Sequence, residues 1–468
     1  MKKLFGTDGM RGEAGRFPLD AQTLFIAGRA LARLLAERTG SSPRLLIGRD
    51  TRESGEWIER AFIDGATAAG AVCEPAGVIT TPGVAFLTRT MPADAGVVIS
   101  ASHNPYRDNG IKIFSPSGRK LDDATERQIE ADIYQARGEG ETRRATDSRE
   151  GISAGEFYGS GEVPRRAAAL QARYLDYLCE EIGANLRLDN LRLVVDCAHG
   201  AASQLAPALF TRLGAQVLAV GNTPDGRNIN HECGSLFVRR LCDKVVAEKA
   251  DLGVAFDGDA DRALFVDARG EVIDGDATLW VMAKNFQARG ELAGEQVVAT
   301  VMSNIGLELA LKSRGIELRR VDVGDKYVLE ELLRTNATLG GEQSGHIIFP
   351  RVSLAGDGMM TTLFLLRAMQ ESGESLAELN AGFTRYPQVL VNVRVHEKRL
   401  FEEVPEIAEA ALRTQETLAG QGRLLLRYSG TEPLARVMIE GRHQDEIERL
   451  ASNLATVIKG TLGDGLHS

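Results

Sequence analysis

Short apolar runs alternate with longer amphipathic stretches through most of the chain, and the alternation has a regular order. Arg44 to Gly48 reads as a strand, Trp57 to Ala69 as a helix, and Ala71 to Cys73 as the start of another strand. The same order returns at Leu191 to Val195, Ala201 to Leu213 and Gln216 to Val220. It returns again at Gln296 to Thr300, Gly306 to Arg314 and Glu317 to Val321. Strands made of Val, Leu and Ile on both faces, separated by helices, predict largely parallel sheets covered on both sides. The pattern predicts three α/β domains of similar plan. From Gln388 to Val395 the pattern changes to the alternation of a half-exposed strand, and Asp445 to Leu462 reads as a closing amphipathic helix. A smaller α+β domain is expected there. The boundaries drawn are 1–165, 166–267, 268–383 and 384–468. Arg137 to Val163, rich in Gly, Ser, Thr, Glu and Arg, reads as a loop or linker between the first two.

Composition narrows the class. Hydrophobic residues are 43% and charged residues 26% of the 468, an ordinary globular balance that excludes wholesale disorder. The net charge of −10 disfavours nucleic acid as a partner. No uncharged run reaches the roughly 18 residues of a membrane span, and no apolar segment follows the first residues. Five Cys without a C-x-x-C pair fit reduced thiols in a cytoplasm. The 50 Gly foretell tight turns and close backbone approaches to ligands.

Four segments carry candidate chemistry. Ser100-Ala101-Ser102-His103-Asn104-Pro105 follows the strand Ala95 to Ile99, where α/β sheets place ligands. A few residues on, Asn109-Gly110 reads as a turn, with Lys112 suited to a phosphate or a proton. Asp257-Gly258-Asp259-Ala260-Asp261-Arg262 alternates three carboxylates between apolar runs, a crowding that calls for a hard cation such as Mg²⁺ or Ca²⁺. An EF-hand fits poorly, with Arg262 where that loop needs Gly and Ala268 where it needs a bidentate Glu. Gly340 to His346 offers Glu342, Gln343, Ser344 and His346 to hydroxyls or an amine. Arg427-Tyr428-Ser429-Gly430-Thr431, with Arg436 beyond, has the donors of an anion nest. Gly6 to Gly12 is a further Gly-rich segment with an Arg, Arg11, and reads as a phosphate contact or a plain loop. The signatures of P-loops, dinucleotide sites, zinc proteases and α/β-hydrolases are missing from the sequence.

The four segments, in this order along nearly the whole chain, resemble the α-D-phosphohexomutase superfamily. Phe5 to Gly12, Asn228 to Ser235, Thr300 to Asn304, Val323 to Val328 and Gly341 to His346 resemble its bacterial branch that acts on glucosamine phosphates. The resemblance implies four domains, heart-shaped around a central cleft, and interconversion of glucosamine 6-phosphate and glucosamine 1-phosphate, a step toward UDP-N-acetylglucosamine and cell-wall precursors. The alternative within the superfamily is a mannose or glucose phosphate. It implies that Ser102 carries a phosphoryl group and that Asp257, Asp259 and Asp261, with a phosphoryl oxygen on Ser102, hold Mg²⁺. It implies a sugar 1,6-bisphosphate as intermediate and activator. Arg11, His103 and Lys112 would line the reacting end, with Lys112 and His346 the candidate acid/base groups. Glu342, Ser344 and His346 would read the ring. Arg427, Ser429, Gly430, Thr431 and Arg436 would hold the phosphate that is not reacting. The expected partner is a small sugar phosphate in the cytoplasm, with no nucleic acid or membrane and with a homodimer allowed. Tyr428 departs from relatives that carry Pro or Lys there, which puts the hold on the distal phosphate in question.

Overall fold

The computed structural model describes residues 3–6, 8–138, 162–429 and 432–463. Most of the segment read as a linker, 139–161, lies outside the described residues. The chain divides into two compact units, Met1–Thr300 with Val321–Ala381, and Val301–Arg320 with Gly382–Ser468.

The first unit is built on mixed sheets with parallel cores. Strands β1 (Phe5–Gly6), β2 (Gly9–Glu13), β3 (Arg44–Arg49), β4 (Val72–Val78), β5 (Ala95–Ile99) and β6 (Asp108–Phe114) form one sheet in the order β1-β2-β6-β5-β3-β4. β3 runs parallel to both β4 and β5. All five residues of β5 are buried, as expected of a strand covered on both faces. β7 (Arg192–Asp196), β8 (Gln216–Val220), β9 (Leu252–Phe256), β10 (Ala263–Asp267) and β11 (Val272–Ile273) form the second sheet, with β7 parallel to β8 and β9. In the third, Gln296–Thr300 pairs in parallel with Gly340–Gly341, which then pairs antiparallel with Ile347–Ile348.

One topological detail matters for function. Each of these sheets has a parallel strand followed directly by an antiparallel one: β5 by β6, β9 by β10, and Gly340–Gly341 by Ile347–Ile348. A short connection of this kind projects a tight loop beyond the carboxyl end of the parallel strand. These loops carry Ser102, the three Asp, and Glu342 to His346.

The second unit has a three-stranded antiparallel sheet, in the order Gln388–Arg394, Leu434–Glu440, Arg423–Tyr428. Val393, Val437 and Ile439 pack there against Ile447, Leu454 and Ile458 of the helix Gln444–Leu462. The fold class is therefore the expected one: mixed α/β with a smaller C-terminal part.

One local reading is corrected. Asn109-Gly110 is not a turn; both residues are buried within β6. Asn109 Nδ2 donates to Ser54 Oγ at 2.9 Å, and a Cβ on Gly110 would stand 2.7 Å from the Ser100 carbonyl oxygen. The dipeptide answers a close approach between strands, which its sequence cannot tell apart from a turn. Among the described residues, no helix is long and apolar enough to cross a membrane.

Candidate active site

Ser102 sits at the tip of the loop between β5 and β6 with φ +52°, a left-handed conformation unusual for a residue with a Cβ. Its side chain is buried, and its hydroxyl donates to Asp257 Oδ2 at 2.5 Å. His103 Nδ1 lies 3.2 Å from the same oxygen. The Asp257 loop comes this close because Gly258 lacks a side chain: a Cβ there would stand 2.5 Å from the Ser102 carbonyl oxygen.

Asp257, Asp259 and Asp261 are all buried and each offers an oxygen within 4.8 Å of the others. Thr81, at the start of the helix Thr81–Thr90, donates its hydroxyl to Asp259 Oδ2 at 2.6 Å and its amide to the Asp259 carbonyl at 3.0 Å. Lys112, on β6, is buried with its Nζ 2.9 Å from Asp259 Oδ2, 3.4 Å from Asp261 Oδ2 and 3.3 Å from Asp8 Oδ2. Asp8 also pairs with Arg11 and, at 2.5 Å, with Lys120. Lys120 reaches Asp325 at 2.6 Å. His346 lies between two carboxylates, with Nδ1 3.7 Å from Asp261 Oδ1 and Nε2 3.8 Å from Asp325 Oδ2. Its ring fits only because residue 356 is Gly, where a Cβ would come within 2.5 Å. Glu342 accepts from the Gly324 amide at 3.2 Å and from Ser344 Oγ at 3.3 Å. A cleft of 470 Å³ opens beside this end, with Asp261, Asp325, His346 and Lys120 in its wall.

The charges in the cluster set one another. Burial alone would lower the Lys112 pKa, but Asp259, Asp8 and Asp261 outweigh it and hold the ammonium well above its ordinary range. Burial works against the His346 imidazolium too, yet Asp261, Asp325 and Glu342 lift it to about 9. His103 moves the other way, to about 4, through burial and the nearby Arg262 and Arg11 guanidiniums. Burial and the adjacent Asp261 and Asp259 push the Asp257 carboxyl well up. Asp261 is held well below its ordinary value: burial opposes this, and Lys112 and His346 overcome it.

The trio fits a hard divalent cation. Asp259 Oδ1 and Asp261 Oδ1 are buried without a hydrogen-bond partner, and an oxygen-only donor set suits such an ion. The arrangement brings a hydroxyl nucleophile, a cation site and several ammonium, guanidinium and imidazolium groups into one low-dielectric pocket, which is the equipment for moving phosphoryl groups.

The structure thus unites Ser102, His103, Lys112, Arg11, His346, Glu342, Ser344 and the three Asp within the first unit. Arg427, Ser429 and Arg436 meet in the second. Arg436 donates to Ser429 Oγ at 3.3 Å and faces Arg427 across the strand pair. Tyr428 points into its own unit, its hydroxyl donating to the Arg399 carbonyl at 2.6 Å and its ring stacked on Phe401 at 4.2 Å. Gly430 and Thr431 lie outside the described residues. Sequence reasoning assigned no role to Asp8, Thr81, Lys120, Arg262 or Asp325. Asp8 and Asp325 stand in Gly-flanked stretches already singled out; Thr81 and Lys120 carry no signal of their own.

Four family models match the chain. They are the phosphoglucomutase/phosphomannomutase α/β/α domains I (residues 2–139), II (172–270) and III (274–386), and the C-terminal domain (390–457). Phosphoglucosamine mutase of Solibacter usitatus is 48% identical over 463 residues, covering 99% of this chain and all of that protein. Phosphoglucosamine mutase of Pelotomaculum thermopropionicum is 47% identical over 98% of this chain and 99% of that protein. Among solved structures, a phosphoglucomutase/phosphomannomutase family protein of Burkholderia thailandensis superposes with TM-score 0.76 at 24% identity, covering 98% of this chain and 97% of that one. Aspergillus fumigatus N-acetylphosphoglucosamine mutase, in complex with GlcNAc-6P and magnesium, gives 0.62 at 19% identity, over 98% and 95%. These two likenesses bear on the fold.

Proposed function

The chain belongs to the phosphoglucomutase/phosphomannomutase family, and on that premise we propose that it interconverts glucosamine 6-phosphate and glucosamine 1-phosphate through a phosphoserine at Ser102. The observation that carries the reading is the Ser102 hydroxyl, 2.5 Å from Asp257 in a buried aspartate trio, in a chain 48% identical over its length to a phosphoglucosamine mutase.

In the proposed reaction the sugar hydroxyl attacks the phosphorus on Ser102. The bond from phosphorus to Ser102 Oγ breaks as the bond to the sugar oxygen forms, giving a sugar 1,6-bisphosphate. Lys112 and His346, both held charged, are the candidates to give a proton to the departing Ser102 Oγ and then to regain one from the sugar hydroxyl. The bisphosphate turns, and Ser102 Oγ takes the other phosphoryl group back. Asp257, Asp259 and Asp261 would hold Mg²⁺, which when bound neutralises charge on the transferring phosphoryl group. Arg11, His103 and Lys112 line the reacting end, and Glu342, Ser344 and His346 read the ring. Arg427, Ser429 and Arg436, with Gly430 and Thr431, are assigned to the phosphate that stays. The reading carries with it a cytoplasmic enzyme supplying precursors of UDP-N-acetylglucosamine.

Turnover on glucosamine, mannose and glucose 6-phosphates tests the substrate. Highest kcat/KM is expected on the glucosamine ester; a higher value on mannose or glucose phosphate overturns the choice. Intact-mass measurement of the purified chain is expected to find one added phosphate, located at Ser102.

A further inference from the structure

We infer that Arg52, seconded by Asn230, is a positioning residue for the phosphoryl transfer: it fixes the main chain of the nucleophile loop so that Ser102 Oγ returns to one place after each transfer. The inference rests on the reading of Ser102 as the phosphoryl carrier.

Arg52 is almost fully buried. Its Nε donates to Asp50 Oδ2 at 2.9 Å. NH1 donates to the carbonyls of Pro105 and Asp108 at 2.5 and 2.9 Å. NH2 donates to those of Ser102 and Asn104 at 3.0 and 2.8 Å. A guanidinium has five N–H donors in one plane, and here each has an acceptor. Four of those acceptors belong to the loop that carries the nucleophile or to the strand it leads into.

The other peptide groups of the loop are held as well. The Ser102 amide donates to Ser100 Oγ at 2.9 Å, and that hydroxyl donates to Asp50 Oδ2 at 2.7 Å. Asp50 in turn accepts from Nε and from the main-chain amide of Arg52. From the far side, Asn230 Nδ2 donates to the carbonyls of Ser102 and Asn104 at 2.8 and 3.2 Å. Both peptide groups of a residue with φ +52° are therefore anchored by side chains that leave its Oγ alone.

A phosphoryl carrier needs this. The Oγ gains and loses nearly two negative charges in each cycle. A loop free to relax would settle differently in the two states, and a misplacement of about 1 Å can cost about 100-fold in rate. The five-donor fork resists that relaxation, and its charge is already matched by Asp50. Lysine cannot substitute: its three donors radiate from one atom and cannot serve at once the five acceptors spread from Asp50 to Asp108, so the loop loses part of its tether.

The test uses the full-length protein, dephosphorylated, and follows phosphorylation of Ser102 by glucose 1,6-bisphosphate with rapid quenching and intact mass. Mn²⁺ binding by calorimetry and thermal unfolding are measured on the same samples. Arg52→Lys is expected to slow the transfer by about 100-fold, with KM for the sugar phosphate and Mn²⁺ affinity unchanged. Transfer at the wild-type rate overturns the inference, as does a loss of Mn²⁺ binding in step with the loss of rate, which would mark a general structural role. If Arg52→Lys fails to fold, Asn230→Ala decides. About tenfold slower transfer with intact Mn²⁺ binding supports the inference, and an unchanged rate overturns it. Wild-type protein that accepts no phosphoryl group from the bisphosphate would refute the functional reading instead, so the two failures are separable.

Discussion

The reacting end in the first unit and the arginine loop in the second are both assigned to phosphate, and they are built differently. Around Ser102 the charged groups are buried and bind one another at short range: Lys112 and Asp259 are each about 1% exposed and 2.9 Å apart. In the second unit Arg436 is 29% exposed and its partner Glu432 is 56% exposed, at 3.5 Å. Inside a protein each unit charge interacts several times more strongly than at its surface, and a buried network resists rearrangement. The first arrangement suits bond making, where charge develops at a fixed point. The second suits the holding role proposed for it, in which a phosphate is accepted and released.

The comparison breaks most visibly at the nucleophile. Ser102→Ala is expected to abolish turnover while leaving the melting temperature near that of the wild type; measurable activity in that variant removes the covalent route. Asp259→Asn is expected to lower kcat on the order of 100-fold and to shift the metal titration to higher concentration. An unshifted Mg²⁺ titration would dissociate Asp259 from the cation. Arg436→Ala should act on holding instead, raising KM about tenfold with kcat little changed, the loss of one charge-assisted contact. A fall in kcat with unaltered KM would place Arg436 in the chemistry and erase the distinction.

The smallest effect concerns burial without cations. Asp357 is buried like the trio, but its partners are the Tyr174 hydroxyl at 2.8 Å and the Met360 amide. Burial raises its pKa from 3.8 to about 6, against the hydrogen bonds that favour the anion. Below the unfolded value both states are protonated and no penalty exists. As pH rises through the folded value the folded protein has to charge a buried group, and stability falls. Asp357→Asn, neutral throughout, keeps one oxygen to accept from the Met360 amide and turns an NH2 toward the Tyr174 hydroxyl oxygen, and should therefore gain stability relative to the wild type between pH 4 and 7, by at most about 3 kcal/mol. Melting curves across that range check the sign; a difference independent of pH would show that Asp357 does not titrate there.

Much of the site was legible because its chemistry is local in sequence. Alternating Asp257, Asp259 and Asp261 between apolar runs announce a cation in any fold that buries them. Ser102 after a fully apolar strand stands where such sheets present ligands. Lys112 was visible as a residue, while its surroundings were not: Asn109-Gly110 reads as a turn, and only the pairing of β6 with β2 and β5 turns it into strand. The ion pairs Lys120–Asp325 and Lys112–Asp8 join residues more than a hundred positions apart, and no local pattern marks them.

The sequence by itself determined the α/β plan, the strand positions and the residue types that the proposed phosphoryl carrier and cation site would use, because hydrophobic period and side-chain chemistry are properties of short segments. The tertiary structure alone decided which loops meet, that Arg52 gathers the carbonyls behind Ser102, and that neighbouring carboxylates keep Lys112 and His346 charged in spite of their burial. Those outcomes depend on desolvation and on distances between remote segments, which exist only once the chain has closed on itself.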